Sequence, residues 1–231
     1  MAHSHFPSLQ SHIPFNHICN HMDIAVKNAT STAGTNSQTS LAKSELREKA
    51  IAARNTTTPT ERANWSAALA QSDLPFVITS GMIVAAYYPI GSELDVLILT
   101  RRLITLGAQI ALPIVSSSKT PLSFRAWAPS DKMDAGQMNI LEPRTQTREL
   151  TPDILLVPLL KFDRSGVRLG YGAGHYDRTL GQLRAARNIL AVGISYGMQE
   201  QPHLPFEPHD QRLDFIMTED GTTACSLREA L

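Results

Sequence analysis

The sequence predicts an α/β domain with a mainly parallel sheet that helices cover on both faces. Apolar runs typical of buried strands recur at 82–87, 109–115, 154–157, 189–195 and 213–218. Patterns typical of helices separate several of these runs, at 93–106 and at 175–187. Strands joined through helices need crossover connections, which place neighbouring strands parallel and bury both faces of the sheet. In such sheets ligands gather at the carboxyl ends of the strands.

Length and charge exclude several classes of protein. The 231 residues suit one large domain or two small ones, and because no linker interrupts 41–231 we expect one compact domain there. The 21 basic and 21 acidic residues cancel, which argues against wholesale binding to nucleic acid or to a membrane surface. No run approaches the roughly 18 apolar residues of a membrane span. With only two cysteines, Cys19 and Cys225, the chain has no disulfide framework, which predicts a reducing compartment such as the cytoplasm.

Residues 1–40 differ in composition from the rest of the chain. They are rich in His, Ser, Thr and Asn, and the tract 28–40 shows no apolar periodicity, so we expect a disordered polar tail. The spacing of the histidines matches no metal-ligand pattern. No basic segment precedes an apolar core, and the first arginine is Arg47, so neither a secretory signal nor an Arg-rich transit peptide is expected.

Two helices are predicted at the start of the folded part. From Leu41 an apolar face alternates with a basic face that carries Lys43, Arg47 and Arg54. Lys43 and Arg47 point the same way because they are four positions apart, although an ordinary solvated helix face has the same spacing. The segment 58–61 (Thr-Pro-Thr-Glu) forms a capping box with proline at the first helical position, which predicts a second helix over 59–71.

The middle of the chain continues the strand and helix alternation. We expect Ser92 to cap the helix at 93–106, and Gly107 to end it. Two shorter strands are predicted at 122–127 and 139–142.

The stretch 168–178 carries the clearest indication of a binding site. Every second residue is a glycine just before the helical pattern at 175–187, and an apolar run precedes this segment. The glycines are Gly170, Gly172 and Gly174. Glycines at such a turn allow positive φ and close approach to a ligand, and a helix that begins there directs free N–H groups at it. This arrangement suits phosphate. Arg168 adds a cation before the turn, and Asp177 adds a carboxylate suited to a metal ion beside the phosphate.

Two other segments have both a structural and a functional interpretation. In 87–93, at a strand-to-helix turn, Glu93 is either a favourable charge at a helix start or a ligand contact. Asp210 precedes the last strand and is either a turn residue or a second metal ligand.

Taken together, these segments resemble the 5-formyltetrahydrofolate cyclo-ligase (methenyltetrahydrofolate synthetase) family. The resemblance covers about 41–220 and rests on 43–54, 88–93, 139–143, 157–158, 162–163, 168–180, 205–210 and 214–219. It implies a three-layer α/β fold like that of sugar-phosphate isomerases and CoA transferases. It also implies an enzyme that uses ATP and Mg²⁺ to convert 5-formyltetrahydrofolate into 5,10-methenyltetrahydrofolate, with release of ADP and phosphate.

The resemblance assigns roles to particular residues. The residues expected to contact ATP are Lys43, Arg47, Arg168, Leu169, Gly170, Tyr171, Gly172, Ala173, Gly174, His175 and Tyr176, with Lys43 and Arg168 also expected to be catalytic. Those expected to contact the folate are Tyr88, Glu93, Tyr171, Gly172, Ala173, Gly174 and His175. Asp177 and Asp210 are expected to hold magnesium. Ala173 and His175 depart from the residues usual in the family.

Two alternatives stay open on the sequence. A sugar-phosphate isomerase or CoA transferase of the same architecture needs a base or a covalent Glu near the glycine turn and no ATP. A non-catalytic folate-binding protein would keep Glu93 without needing Lys43, Arg168 or Asp177. The sequence does not indicate the oligomeric state.

Overall fold

A computed structural model describes residues 22–136 and 139–225 of the chain, with side chains from residue 39 onward. Four helices lie at Met22–Asn55 (α1), Pro59–Gln71 (α2), Leu97–Thr105 (α3) and His175–Ala186 (α4). The strands of the main sheet are Ile83–Ala85 (β1), Gln109–Ile114 (β2), Ser123–Trp127 (β3), Ile154–Pro158 (β6), Leu190–Ile194 (β9), Phe215–Thr218 (β10) and Gly221–Ala224 (β11). Two small hairpins pair Met133–Ala135 (β4) with Leu141–Pro143 (β5), and Lys161–Phe162 (β7) with Arg168–Leu169 (β8).

The main sheet confirms the predicted fold class. Its strand order is β11-β10-β9-β6-β1-β2-β3. All four pairings among the five central strands are parallel, and one antiparallel strand closes each edge. Five of these strands correspond to the five predicted apolar runs.

Residues on the central strands alternate between two buried clusters. In β6, Ile154 and Leu156 face a cluster that also contains Leu69 of α2 and Leu99 of α3. Leu155 and Val157 face the other cluster, which contains Leu180 of α4. Because both faces of each strand are buried, the strands are apolar along their whole length. The result is a three-layer structure, with the sheet between α2 and α3 on one side and α4 on the other.

The first helix begins earlier than predicted. It starts at Met22 rather than near Leu41, so the backbone of 28–38 is helical where we expected no regular structure. Asn, Ser and Thr cost only a few tenths of a kcal/mol each in a helix relative to Ala, and this tract holds no proline. Residues 1–21 of the predicted tail lie outside the described residues. Contacts divide the chain into two units, Met1–Gln38 and Thr39–Leu231.

Helix caps confirm one prediction and correct another. Thr58 and Glu61 exchange capping-box hydrogen bonds at the start of α2, as predicted. The third helix, however, begins at Leu97 with no side-chain cap, so Ser92 does not cap it. The Ser92 hydroxyl instead accepts from Arg54 and donates to Asn55. Gly107, at φ +100°, follows the end of α3 as predicted.

The predicted strand at 139–142 is present as β5, one partner of a hairpin. The Glu142 side chain accepts a hydrogen bond from the Val115 amide, which attaches this hairpin to the end of β2. Along the part of the chain that is described, no helix is long and apolar enough to cross a membrane.

Gly193 of β9 tests how tightly the α4 side of the sheet is packed. A Cβ there would lie 2.6 Å from Leu213 Cδ1 and 2.9 Å from Leu159 Cδ2. We expect Gly193→Ala to lower the free energy of unfolding by about 1–3 kcal/mol, because overpacking displaces neighbouring side chains. Denaturant titration measures this change.

Gly181, inside α4, provides the matched control. A Cβ there meets nothing closer than 3.9 Å. We expect Gly181→Ala to raise stability by about 0.5–1 kcal/mol, because alanine favours a helix over glycine. A stable Gly193→Ala protein would contradict the packing described.

Candidate active site

The glycine turn joins β8 to α4 at the carboxyl side of the sheet. Gly172 has φ +99°, and Gly174 has φ +68° in the left-handed region at the N-cap of α4. No side chain caps this helix. The first-turn amides of α4 therefore remain available to an anion, and the helix dipole favours negative charge at the same place. The turn therefore has the positive-φ glycines and the uncapped helix start that the sequence predicted.

Helix α1 lies against this turn through its basic face. Arg47 donates from Nε to the Gly170 carbonyl at 2.9 Å, and a Cβ at Gly172 would lie 3.2 Å from Arg47 Cζ. Lys43 is 5% exposed and Arg54 is 4% exposed. An ordinary solvated face is therefore excluded for these two residues, and the cations of α1 belong to the candidate site.

Three carboxylates pair with the buried cations Lys43 and Arg168. Lys43 Nζ lies 2.5 Å from Glu207 Oε2 and 2.6 Å from Asp210 Oδ2. Arg168 Nη2 lies 2.7 Å from Asp177 Oδ1, and its Nη1 donates to the Gln211 carbonyl. Burial lowers the pKa of Arg168, while the negative charges of Asp177 and Asp210 oppose this change. The two predicted metal ligands therefore lie around one buried arginine.

Asp177 and Asp210 each use one carboxylate oxygen for the hydrogen bonds that the structure shows. Asp177 Oδ1 accepts from Arg168 and from the Gln211 amide. Asp210 Oδ2 accepts from Lys43 and from the Glu207 amide, so Asp210 is also a turn residue. Glu207, His209 and Asp210 bring one possible ligand atom each to within 4.8 Å of the others. The sequence indicated Asp210 but not Glu207, which lies three positions before it.

Glu93 lies at the other end of the site, in the turn after β1. It is 7% exposed, and its Oε2 accepts from the Ile90 amide at 2.9 Å. Its Oε1 is buried with no donor at hydrogen-bond distance and angle in the described chain, although the Tyr171 hydroxyl lies near the carboxylate. Burial raises the pKa of Glu93, while the Ile90 amide, the charge of Arg54 and the Tyr171 hydroxyl oppose this rise. A buried carboxylate oxygen without a donor is suited to a ligand that brings N–H groups. The interpretation of Glu93 as a helix-start charge is therefore not favoured, because α3 begins only at Leu97.

The aromatic and variable residues of the turn have distinct surroundings. Burial and the charge of Glu93 raise the pKa of Tyr171 to about 12, and the same two causes raise that of Tyr176. Ala173 presents its carbonyl to Arg178 Nη2 at 2.7 Å, whereas His175 Nδ1 lies 3.3 Å from the Thr120 carbonyl. Ala173, which differs from the residue usual in the family, therefore makes its described hydrogen bond through the backbone.

Tyr88 lies apart from the glycine turn. It lines a cavity of about 330 Å³ together with Leu97, Arg101, Trp127, Pro129, Asp131, Met133 and Leu141. The structure thus places Arg47, Arg168 and Asp177 at the turn and Lys43 against Glu207 and Asp210, while Tyr88 faces a cavity beside α3. Arg54 was noted on the basic face but not predicted as a site residue, although its spacing of seven from Arg47 puts both on one helix face.

An α/β fold with arginines and glycines at one turn is typical of nucleotide- or phosphate-binding proteins. Comparisons with known proteins narrow this class. Residues 39–219 match the 5-formyltetrahydrofolate cyclo-ligase family, and the chain belongs to that family. This confirms the resemblance found in the sequence.

Individual relatives agree. A 5-formyltetrahydrofolate cyclo-ligase of Mycolicibacterium smegmatis is 35% identical over 60% of this chain and 74% of its own length. One from Escherichia coli is 32% identical over 58% and 76%, respectively. The structure of the Aquifex aeolicus 5,10-methenyltetrahydrofolate synthetase is similar with a TM-score of 0.66 and 30% identity, covering 82% of this chain and 94% of that one.

The buried carboxyl of Glu93 predicts a pH-dependent stability. Because its folded pKa is raised, the folded state binds the proton more tightly than the unfolded chain. Its contribution to stability is therefore fully present below the pKa of an unfolded glutamate and is lost as the pH rises through the folded pKa. We expect Glu93→Gln to become progressively more stable than the wild type between about pH 4 and pH 7.

Denaturant titrations at several pH values measure this difference. Glu149→Gln, which removes an exposed carboxylate, is the control. A constant difference for Glu93→Gln would show that the carboxyl is not destabilised by burial.

Proposed function

We propose that the protein catalyses the ATP-dependent conversion of 5-formyltetrahydrofolate into 5,10-methenyltetrahydrofolate, with release of ADP and phosphate. Family membership supports the reaction. The main observation that assigns the reaction to this site is the contact between α1 and the glycine turn. Arg47 of α1 donates a hydrogen bond to the Gly170 carbonyl, and Lys43 of the same helix is buried. Together with Arg168, these cations are suited to a triphosphate of about four negative charges.

The chemistry explains why such a site needs ATP. A formamide carbonyl is a poor electrophile, and its oxygen is a poor leaving group. Transfer of the γ-phosphoryl group to the formyl oxygen forms a P–O bond, releases ADP and leaves an iminium phosphate at N5. N10 of the same molecule then attacks the formyl carbon, and loss of phosphate and of the N10 proton gives the methenyl ring. Ring closure between held partners gains roughly 7–11 kcal/mol from proximity.

The protein's own residues mainly position the reactants and balance charge. In the proposed complex, Lys43, Arg47 and Arg168 contact the phosphates, and the first-turn amides of α4 donate to them. These cations stabilise charge that moves from the γ-phosphoryl group to the leaving ADP. Glu93 accepts paired hydrogen bonds from the amide edge of the pterin ring through its buried carboxylate. Tyr88 and residues 171–175 complete the folate contacts.

Magnesium is the ion that the family resemblance implies, and the donor set fits it. Mg²⁺ prefers oxygen ligands and usually takes one or two carboxylates besides water and phosphate oxygens. Asp177 and Asp210 each have one oxygen in the hydrogen bonds described, and Asp210 also belongs to the cluster with Glu207 and His209 whose ligand atoms lie within 4.8 Å of one another. We propose these two residues as ligands. When bound, the ion would neutralise charge on the phosphates.

The alternatives are less well supported. A sugar-phosphate isomerase or CoA transferase also binds phosphate groups, but this chain belongs to the cyclo-ligase family. A folate-binding protein without catalysis does not need Lys43, Arg168 or Asp177, all of which are present. We propose the cytoplasm as the compartment, because the chain has two cysteines and no disulfide framework.

The direct test is a coupled measurement of substrate and product. Purified protein is mixed with 5-formyltetrahydrofolate and Mg-ATP, and the absorbance of methenyltetrahydrofolate and the release of ADP are followed together. We expect both products in equal amounts, and neither when ATP or the folate is omitted. ATP-independent turnover of a sugar phosphate or acyl-CoA, or folate binding without ADP release, would support an alternative instead.

Gly172 tests the phosphate-binding turn. Because its φ is +99° and a Cβ there would lie 3.2 Å from Arg47 Cζ, a β-branched side chain both strains the backbone and displaces Arg47. Strain of this kind costs about 1–3 kcal/mol, so we expect Gly172→Val to raise the KM for ATP about tenfold or more in a folded protein. Steady-state kinetics measure it.

Gly221, the first residue of β11, is the matched control. It has φ +129°, and a Cβ there meets nothing within 4 Å. Gly221→Val should therefore lower stability without changing the KM for ATP. Equal ATP kinetics in the two variants would contradict the assignment of the glycine turn to phosphate.

The two proposed metal ligands predict non-additive losses. Asp177→Asn and Asp210→Asn should each lower kcat about 100-fold and raise the Mg²⁺ concentration needed for half-maximal activity, since both act through one ion. The double variant should be little worse than the poorer single one. Glu200→Gln, which removes a carboxylate paired with exposed Arg164, serves as the control. Losses that multiply would argue against a shared ion.

A further inference from the structure

Arg54 is a buried arginine that the proposed reaction does not use. It lies in the last turn of α1 and is 4% exposed, among residues of both substrate-contacting turns. A buried guanidinium is costly unless its donors are used. The hydrogen bonds of Arg54 therefore show which groups offset the cost of burying its charge.

Two of its nitrogens donate to two different turns. Nε donates to Ser92 Oγ at 3.1 Å, in the turn that carries Glu93. Nη2 donates to the hydroxyl of Tyr171, in the glycine turn. The guanidinium carbon also lies 5.7 Å from the centre of the Tyr171 ring. One planar group thus connects the turn of Glu93, assigned to the folate, with the glycine turn, which is assigned to ATP and also contributes folate contacts.

The Ser92 end of this connection is itself fixed. Its hydroxyl donates to Asn55 Oδ1 at 2.6 Å while it accepts from Arg54, so both of its roles are used. The next residue is Glu93, whose amide donates to the Ile90 carbonyl and whose carboxylate accepts from the Ile90 amide. Movement of Ser92 would therefore move the carboxylate that is proposed to hold the pterin.

The charge of Arg54 also affects residues of both turns. The positive charge of Arg54 counteracts the rise that burial causes in the pKa of Glu93. It also counteracts the rise in the pKa of Tyr171. Arg54 thus helps to keep Glu93 ionised while holding the Tyr171 phenol in place.

We propose that Arg54 is a positioning residue. Its guanidinium couples the folate turn (90–93) to the ATP turn (the glycine turn, 170–174), so that binding at each substrate site depends on the other. This inference rests on the proposed function. A lysine cannot replace it, because an ammonium group is a point charge without the planar fork that reaches Ser92 and Tyr171 together. Coupling of this kind is reciprocal: a change at either turn alters the affinity at the other.

The first experiment compares the KM values for ATP and for 5-formyltetrahydrofolate in Arg54→Met and Arg54→Lys. We expect both variants to raise both KM values about tenfold, because bonds from a charged donor are lost on each side. Arg62→Met is the matched control. Arg62 donates to the Thr57 carbonyl at the same end of α1, and its loss should lower the melting temperature without changing either KM.

The second experiment needs only a small change. Ser92→Ala removes one hydrogen-bond acceptor from the folate turn and should still fold. We expect it to raise the KM for ATP about fivefold although it lies outside the phosphate-binding turn. In an Arg54→Met background the same substitution should leave the KM for ATP unchanged, since the connection is already absent.

The outcomes separate this inference from the proposed function. A wild-type protein that neither binds nor converts 5-formyltetrahydrofolate would overturn both. A wild-type protein that is active, together with an Arg54→Lys variant of normal KM values, would show that charge alone suffices and would overturn the coupling. An active Ser92→Ala variant with an unchanged KM for ATP would overturn it as well.

Discussion

Pairing of buried cations with carboxylates is the interaction on which the site depends. Lys43 and Arg168 are nearly inaccessible to water, and removing an ion from water costs several kcal/mol even after relaxation. Asp210 with Glu207, and Asp177, offset that cost. The same pairs fix the segment 207–211 against α1 and against the glycine turn. Charge neutralisation and the geometry of the site therefore have one physical origin.

In the proposed reaction, the ion pairs of Lys43 and Arg168 also hold both cations in position before the triphosphate binds. Cations already fixed by carboxylates need little reorganisation when a triphosphate arrives, which is the condition under which electrostatic stabilisation is most effective. Glu93 shows the opposite arrangement. Its carboxylate is buried with one oxygen that accepts no bond in the described chain, and its pKa is raised by that burial. In the proposed complex, a ligand with N–H donors completes this contact and compensates for the stability lost by burial.

Local sequence determined most of the framework. Five apolar runs predicted the five parallel strands, because a strand buried on both faces must be apolar throughout. The capping box at Thr58 and the glycine turn before α4 were predictable because each depends on residues close in sequence. Ser92 was misassigned for the same reason: its hydroxyl suits a helix cap, yet Arg54 and Asn55, far away in the chain, use it.

The sequence by itself determined the fold class, the family and the identity of most candidate site residues. Only the tertiary structure decided which of them meet. Lys43 and Asp210 are 167 positions apart, and Arg54 and Tyr171 are 117 apart, so no local pattern relates them. Strands of two residues, such as β7 and β8, are too short to show a period. Their pairing, and the burial of Lys43, Arg54 and Glu93, depend on how distant segments pack, because burial is a property of the assembled layers and not of a residue's neighbours in the chain.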